Sequence, residues 1–218
     1  MGSEMCIRDS LIAPALGKAA MKIGELIMLA TNLQPFLMGI AVSVLVGIAL
    51  TLPISSAAIC AAFGLTGLAG GAAVAGCCAQ MVGFAVMSFK ENRWGGLVSQ
   101  GIGTSMLQMG NIIKNPRIWI APIVTSAITG PMATCLFKLQ MNGTPVSSGM
   151  GTCGFVGQIG VYSGWVNDIA NGTKAAITGF DWTGMILISF ILPAVLCPLI
   201  NMLLKKIGWV KDGDMKLS

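Results

Sequence analysis

The 218-residue sequence contains no histidine, only 8 acidic residues and a single tyrosine. Without an imidazole, these residues offer no histidine metal ligand, no histidine general base and no phosphohistidine. Charge is scarce altogether: Asp, Glu, Lys and Arg make up 10% of the chain, against about 25% in soluble domains. So few charges cannot cover a water-facing surface. Carboxylates are rarest inside the apolar segments, where Glu25 is the only acid upstream of Glu91. That shortage argues against a proton relay or a cation pump. The 7 cysteines include no CxxC pair, and most lie within apolar runs as small buried hydrophobes. No metal site and no cofactor are expected. The basic residues form no patch interleaved with aromatics, so nucleic acid is not an expected partner.

What is present is apolar side chain and glycine. Hydrophobic residues account for 55% of the chain, glycine for 29 positions, and the mean hydropathy is +0.81. Small residues let membrane helices approach closely. The composition predicts an all-α polytopic membrane protein with about 4–6 transmembrane helices plus broken or re-entrant hairpins. Four stretches read as crossings: 36–52, 69–89, 118–137 (kinked at Pro122 and Pro131) and 183–204. Residues 11–33 read as an interfacial or bundle-lining helix carrying Lys18, Lys22 and Glu25. Pro53 ends the first crossing, and Ser55 or Ser56 can cap a short helix running to about Gly67. The stretch 96–113 reads as a hairpin that returns to the side it entered, and 165–181 as a surface loop. Residues 1–10, MGSEMCIRDS, break this composition, and MCIRDS resembles translated adapter sequence. They are expected to be non-native, with natural N-terminal spans missing ahead of residue 11.

Orientation follows from the basic residues. With the Lys90/Arg93 loop in the cytoplasm, Lys18, Lys22, Lys114, Arg117, Lys205, Lys206, Lys211 and Lys216 fall on the same side. Only Lys138 and Lys174 fall outside. This satisfies the positive-inside rule and puts the C-terminus in the cytoplasm.

The candidate site residues lie where the helical pattern breaks. Ser147–Gly160, SSGMGTCGFVGQIG, places Gly151, Gly154, Gly157 and Gly160 at every third position. Such backbone persists at membrane depth only where protein buries it or where it lines a cavity. It is either a helix-packing face or a broken helix facing a substrate. The G-x-G-x-x-G spacing of Gly149–Gly154 lacks the strand and the downstream acid that a dinucleotide site needs. The amides Gln80, Gln108 and Gln158 sit in apolar segments, where they bond a neighbouring helix or converge on a hydroxyl-rich neutral ligand. Asn115 and Arg117, in KNPRIW, make a charged loop with an aromatic anchor or reach a sugar hydroxyl or phosphate. The candidate substrate wall is Ser55, Ser56, Gln80, Gln108, Asn115, Arg117, Thr152 and Gln158. No catalytic residue is assigned.

Several segments, in order, carry a family resemblance: QPFLMGI (34–40), LTLPISSAAI (50–59), GCCAQM (76–81), GTSMLQ (103–108), NPRIWIAP (115–122), the 149–160 glycine pattern and GWVKDGDMKL (208–217). Together they resemble bacterial phosphotransferase-system enzyme IIC membrane proteins, a branch of which is described as toxin-regulator-like. The resemblance covers residues 11–218 and implies the C-terminal portion of an enzyme IIC permease domain. It implies a multi-pass sugar permease in the bacterial cell membrane, its partners being cytoplasmic IIB and IIA proteins and a second copy in a homodimer. Better-studied permeases of this system use a histidine and a glutamate near the sugar, and this chain has no histidine and no obvious membrane glutamate. GIGTSM (101–106) faintly resembles a IIB phosphate loop but has no preceding cysteine. Phosphoryl transfer therefore falls to a separate IIB protein. The competing readings are an ion-coupled secondary transporter and a membrane regulator that has lost transport.

Overall fold

In the computed structural model, Lys22 and residues 25–27, 29–31 and 33–217 are described; the expectation for residues 1–10 and for Lys18 lies outside them. Small residues set the architecture. Helix α3, Gly67–Met87, reads GLAGGAAVAGCCAQMVGFAVM, and 94% of its apolar window is buried. With side chains this short, other backbones can approach it from every side. Helix α1 (Pro35–Thr51) and helix α6 (Ile120–Pro131) pack against it and against each other, and α10 (Leu192–Lys206) closes the group. The contacts are specific: a Cβ on Gly76 would strike the carbonyl of Ser43, and one on Gly83 would lie 2.5 Å from Cys197 Sγ. Hydroxyls stitch α1 to the α6 segment, with Ser43 Oγ donating to the Ser126 carbonyl at 2.8 Å and Thr134 Oγ1 to that of Pro35 at 2.8 Å.

Among the described residues, three helical runs are long and apolar enough to cross a membrane: Gly67–Met87, Pro116–Leu136 and Gly179–Lys206. Twenty-one residues rise about 31 Å, close to the hydrocarbon thickness of a bilayer. Helix α1 is apolar but shorter, at 17 residues. Among the described residues there is no strand, only one isolated bridge between Gly67 and Met141. The chain is an all-α membrane protein.

Prolines act where the sequence puts them. Pro53 ends α1, Leu52 turns extended, and Ser55 Oγ accepts the Ala58 N–H at 3.2 Å to start α2, Ser56–Ala62. After Pro131 the helix widens into a π-turn, Met132–Leu136. A second π-turn, Leu187–Ile191, precedes Pro193 between α9 (Gly179–Ile186) and α10. Each widened turn sits beside a proline, which cannot donate to the helical ladder.

One expectation needs correcting. Residues 165–181 are not one surface loop: Trp165–Ala170 completes α8 (Val156–Ala170), and α9 begins at Gly179. Asn167 and Asp168 are polar because they occupy the helix end. Composition there reports exposure, and the backbone is helical regardless.

Candidate functional site where two broken elements meet

The glycine-rich stretch is a broken helix. It starts as one turn, α7 (Pro145–Ser148), passes through a 3-10 turn at Cys153–Phe155 and regains α-helix at Val156. Gly154 and Phe155 both adopt left-handed backbone, φ 53° and 59°, which interrupts the helical ladder. Gly151, also at positive φ, lies so close to α3 that a Cβ would sit 2.6 Å from that of Cys77. On the opposite flank Ser56 Oγ donates to the Gly149 carbonyl at 2.7 Å, tying the start of α2 to the break.

The second broken element follows α3. Helix α4 (Phe89–Val98) is interrupted at Arg93, φ 52° and ψ −150°, and then gives way to a π-turn at Ser99–Gly103. A 3-10 turn at Ser105–Gln108 leads into α5, Met109–Lys114. The two elements touch: Thr152 Oγ1 donates to the Gly101 carbonyl at 2.6 Å and approaches Met81 Sδ of α3 at 3.5 Å. An apolar cavity of about 230 Å³ adjoins this contact, walled by Val82, Val86, Gly101, Phe155 and Phe190.

Polar groups around the contact are buried and incompletely bonded. Gln80 is fully buried; its Oε1 accepts from Trp119 Nε1 at 3.0 Å and Thr51 Oγ1 at 3.3 Å, while Nε2 has no partner. Thr51 also shares a hydrogen bond with Ser105 Oγ at 3.0 Å, joining α1 to the second broken element. Gln158 Nε2 donates to Cys78 Sγ at 3.3 Å, and its Oε1 is unpartnered. Ser189 Oγ, at the π-turn before α10, is buried and unpartnered as well. A buried polar atom without a partner costs roughly 1–3 kcal/mol. Unpaired amide and hydroxyl atoms of this kind can donate to or accept from a hydroxylated guest.

The predicted wall divides in two. Ser56, Gln80, Thr152 and Gln158 gather against α3, and Ser55 is the exposed cap of α2. Gln108, Asn115 and Arg117 instead hold the C-terminal tail. Gln108 Nε2 donates to the Met215 carbonyl at 3.0 Å and to Gln100 Oε1 at 2.9 Å. Asn115 Nδ2 donates to the Trp209 carbonyl at 3.1 Å and to Asp214 Oδ2 at 2.8 Å. The Arg117 guanidinium stands 5.4 Å from the centroid of the Trp209 ring. Gln108 and Asn115 are long amides that reach the tail backbone, and Arg117 faces the Trp209 ring. Residues that sequence reasoning missed complete both groups. Thr51, Ser105 and Ser189 belong to the first, and hydroxyls inside apolar helices were the available signal. Glu91 and Asn92 belong to the second. The Glu91 carboxylate accepts the N–H groups of Gly213 and Met215, each at 2.9 Å, and Asn92 bonds both Met215 and Leu217. Lys205 pairs with Asp212 and holds its carboxyl below the usual carboxylate range.

Among the described residues no group of three or more His, Cys, Asp or Glu side chains is placed to hold a metal ion. A family model described as "Phosphotransferase system, EIIC" matches residues 7–217. No curated protein matches the chain, and no solved structure does.

Proposed function

The chain belongs to the phosphotransferase-system EIIC family, and from that premise we propose that it is the sugar-permease subunit of such a system. As a member it is a membrane-embedded component of a phosphotransferase-system transporter. In our reading a sugar is held beside α3 by Ser56, Gln80, Thr152 and Gln158, with backbone groups of 149–160 contributing. The observation that carries this reading is the 2.6 Å contact between Thr152 and the Gly101 carbonyl, which joins two interrupted helices at one buried point. Transporters place substrate at such breaks because unwound backbone leaves donors and acceptors free. Parting of one element opens the site to one face, and parting of the other opens it to the opposite face.

The end bearing Glu91, Arg117 and the tail is the cytoplasmic end in this reading, because Lys90, Arg93, Lys114, Lys205 and Lys206 belong to the same end. There Gln108, Asn115 and Arg117 flank the mouth that a separate IIB protein would approach, with IIA supplying IIB. No residue here carries phosphoryl, so phosphorylation belongs to IIB. A homodimer in the bacterial cell membrane would cover part of the Gly179–Lys206 run, only 28% of whose apolar window is buried within one copy.

The test is uptake of labelled glucose, galactose, mannitol and galactitol by a full-length relative reconstituted with IIA, IIB, the general phosphotransfer proteins and phosphoenolpyruvate. Gln158→Ala and Thr152→Ala should each lower uptake of the accepted sugar about tenfold, the equivalent of roughly 1.4 kcal/mol in lost contacts. Unchanged uptake in both variants removes the proposed wall. Uptake that persists without phosphoenolpyruvate identifies a secondary transporter instead.

A further inference from the structure

A polar cavity lies away from the junction, at the other end of α3 from the tail. It has a volume of about 310 Å³ and is lined by Asn142, Trp165 and Asp168, with Lys138, Lys174 and Asp181 around them. Its position follows from the chain: Met141 bridges Gly67 at the start of α3, whereas the tail binds Glu91 just beyond the end of α3. The size is at the lower end of small-molecule sites.

The lining charges balance, two ammonium groups against two carboxylates. They are not equally committed. Asp181 accepts the N–H and the hydroxyl of Thr178, at 2.8 and 2.7 Å, and pairs with Lys174 at 2.7 Å, so its oxygens are spent on the cap of α9. Lys174 is further held 5.1 Å from the centroid of the Trp165 ring. Asp168 uses Oδ2 to accept from Asn142 Nδ2 at 2.8 Å. Its other oxygen has no protein partner among the described residues, and neither has the Lys138 ammonium. One donor and one acceptor are therefore unspent at the same cavity.

Backbone geometry singles out the same lysine. Lys138 has φ 45°, left-handed backbone that a glycine would adopt without strain. Non-glycine residues with such backbone cluster at ligand sites, and Lys138 stands on the cavity wall.

We propose that this cavity is an outer docking site for an uncharged polyhydroxylated ligand, the free sugar before it enters the membrane. Lys138 donates to one hydroxyl and Asp168 accepts from a neighbouring one, an alternation that vicinal diols satisfy. Balanced lining charge gives no net attraction for an anion, so a phosphorylated sugar is excluded. The proposal rests on the permease reading above, and on the orientation that puts Lys138 and Lys174 outside.

The experiment uses the reconstituted full-length chain and the same four sugars. Lys138→Gly removes the ammonium while relieving the backbone, so it should fold at least as well as the parent, as thermal unfolding in detergent would show. Lys138→Gly and Asp168→Asn should each raise the KM of the accepted sugar about tenfold, with the maximal rate unchanged. The 6-phosphate of that sugar, added outside, should not compete. Parental KM values in both variants overturn the docking site and leave the permease standing. Competition by the phosphate overturns the ligand class. A parent chain that takes up none of the four sugars overturns both readings together.

Discussion

Gln80 and Gln158 each bury an amide with one atom unbonded, Gln80 on α3 and Gln158 on α8 just after the break. Their isosteric replacement separates two roles. Gln80→Leu removes the unpaired Nε2 but also the Oε1 that accepts from Trp119 and Thr51, so in either reading it should cost about 1–3 kcal/mol in thermal unfolding. In the permease reading the same change also lowers uptake, whereas amides that serve only helix packing leave uptake unchanged. Trp119 would then lose its indole acceptor, which its fluorescence maximum should report. At this scale the sequence was informative about residue type. Amides and hydroxyls in apolar runs were visible; which of them share a pocket was not, because that depends on packing between α1, α3 and the two breaks.

Elements show where the pattern of the sequence was sufficient and where it was not. The apolar helices were legible from hydropathy, and the breaks from Pro53, Pro131 and the 149–160 glycines, since each of these changes what backbone hydrogen bonding can do. The tail was not legible. Its lysines read only as a marker of the cytoplasmic side, yet Val210 and Met215 are buried with Phe84, Met87, Ile112 and Ile118. Its backbone is bonded by side chains distant in sequence, a relation with no periodicity to find. Glu91→Ala removes the acceptor of two tail N–H groups. Hydrogen exchange at Gly213 and Met215 should accelerate by about tenfold or more, since hydrogen bonds to a charged group contribute roughly 1.5–3 kcal/mol each. Exchange at the parental rate would show that Asn92 and Gln108 hold the tail alone.

The whole molecule is organised by close approach of backbones to α3. A Cβ at Gly76 would meet the Ser43 carbonyl, main chain that cannot swing aside as a side chain can. Gly76→Val should therefore lose at least about 2–3 kcal/mol, seen as a lower unfolding temperature in detergent. Gly110, in α5, has open space where its Cβ would be, and Gly110→Ala should gain about 0.5–1 kcal/mol. Opposite signs at two glycines would separate packing from helix propensity. Around this core the charges sort by end, with the tail and its cations at one end of α3 and the Lys138 cavity at the other.

The central claim is that sugar binds where the Ser99–Gly103 turn meets Thr152, and labelling of a thiol placed there tests it most directly. A Cβ on Gly101 would sit 3.5 Å from that of Ala85, an ordinary contact, so Gly101→Cys should fold. In a background with Cys6, Cys135 and Cys153 changed to serine, its reaction with a small maleimide is followed with and without the accepted sugar. The account predicts that saturating sugar slows labelling about tenfold or more, and that the labelled protein no longer takes up sugar. Labelling at one rate in both conditions, with uptake intact after modification, would contradict it.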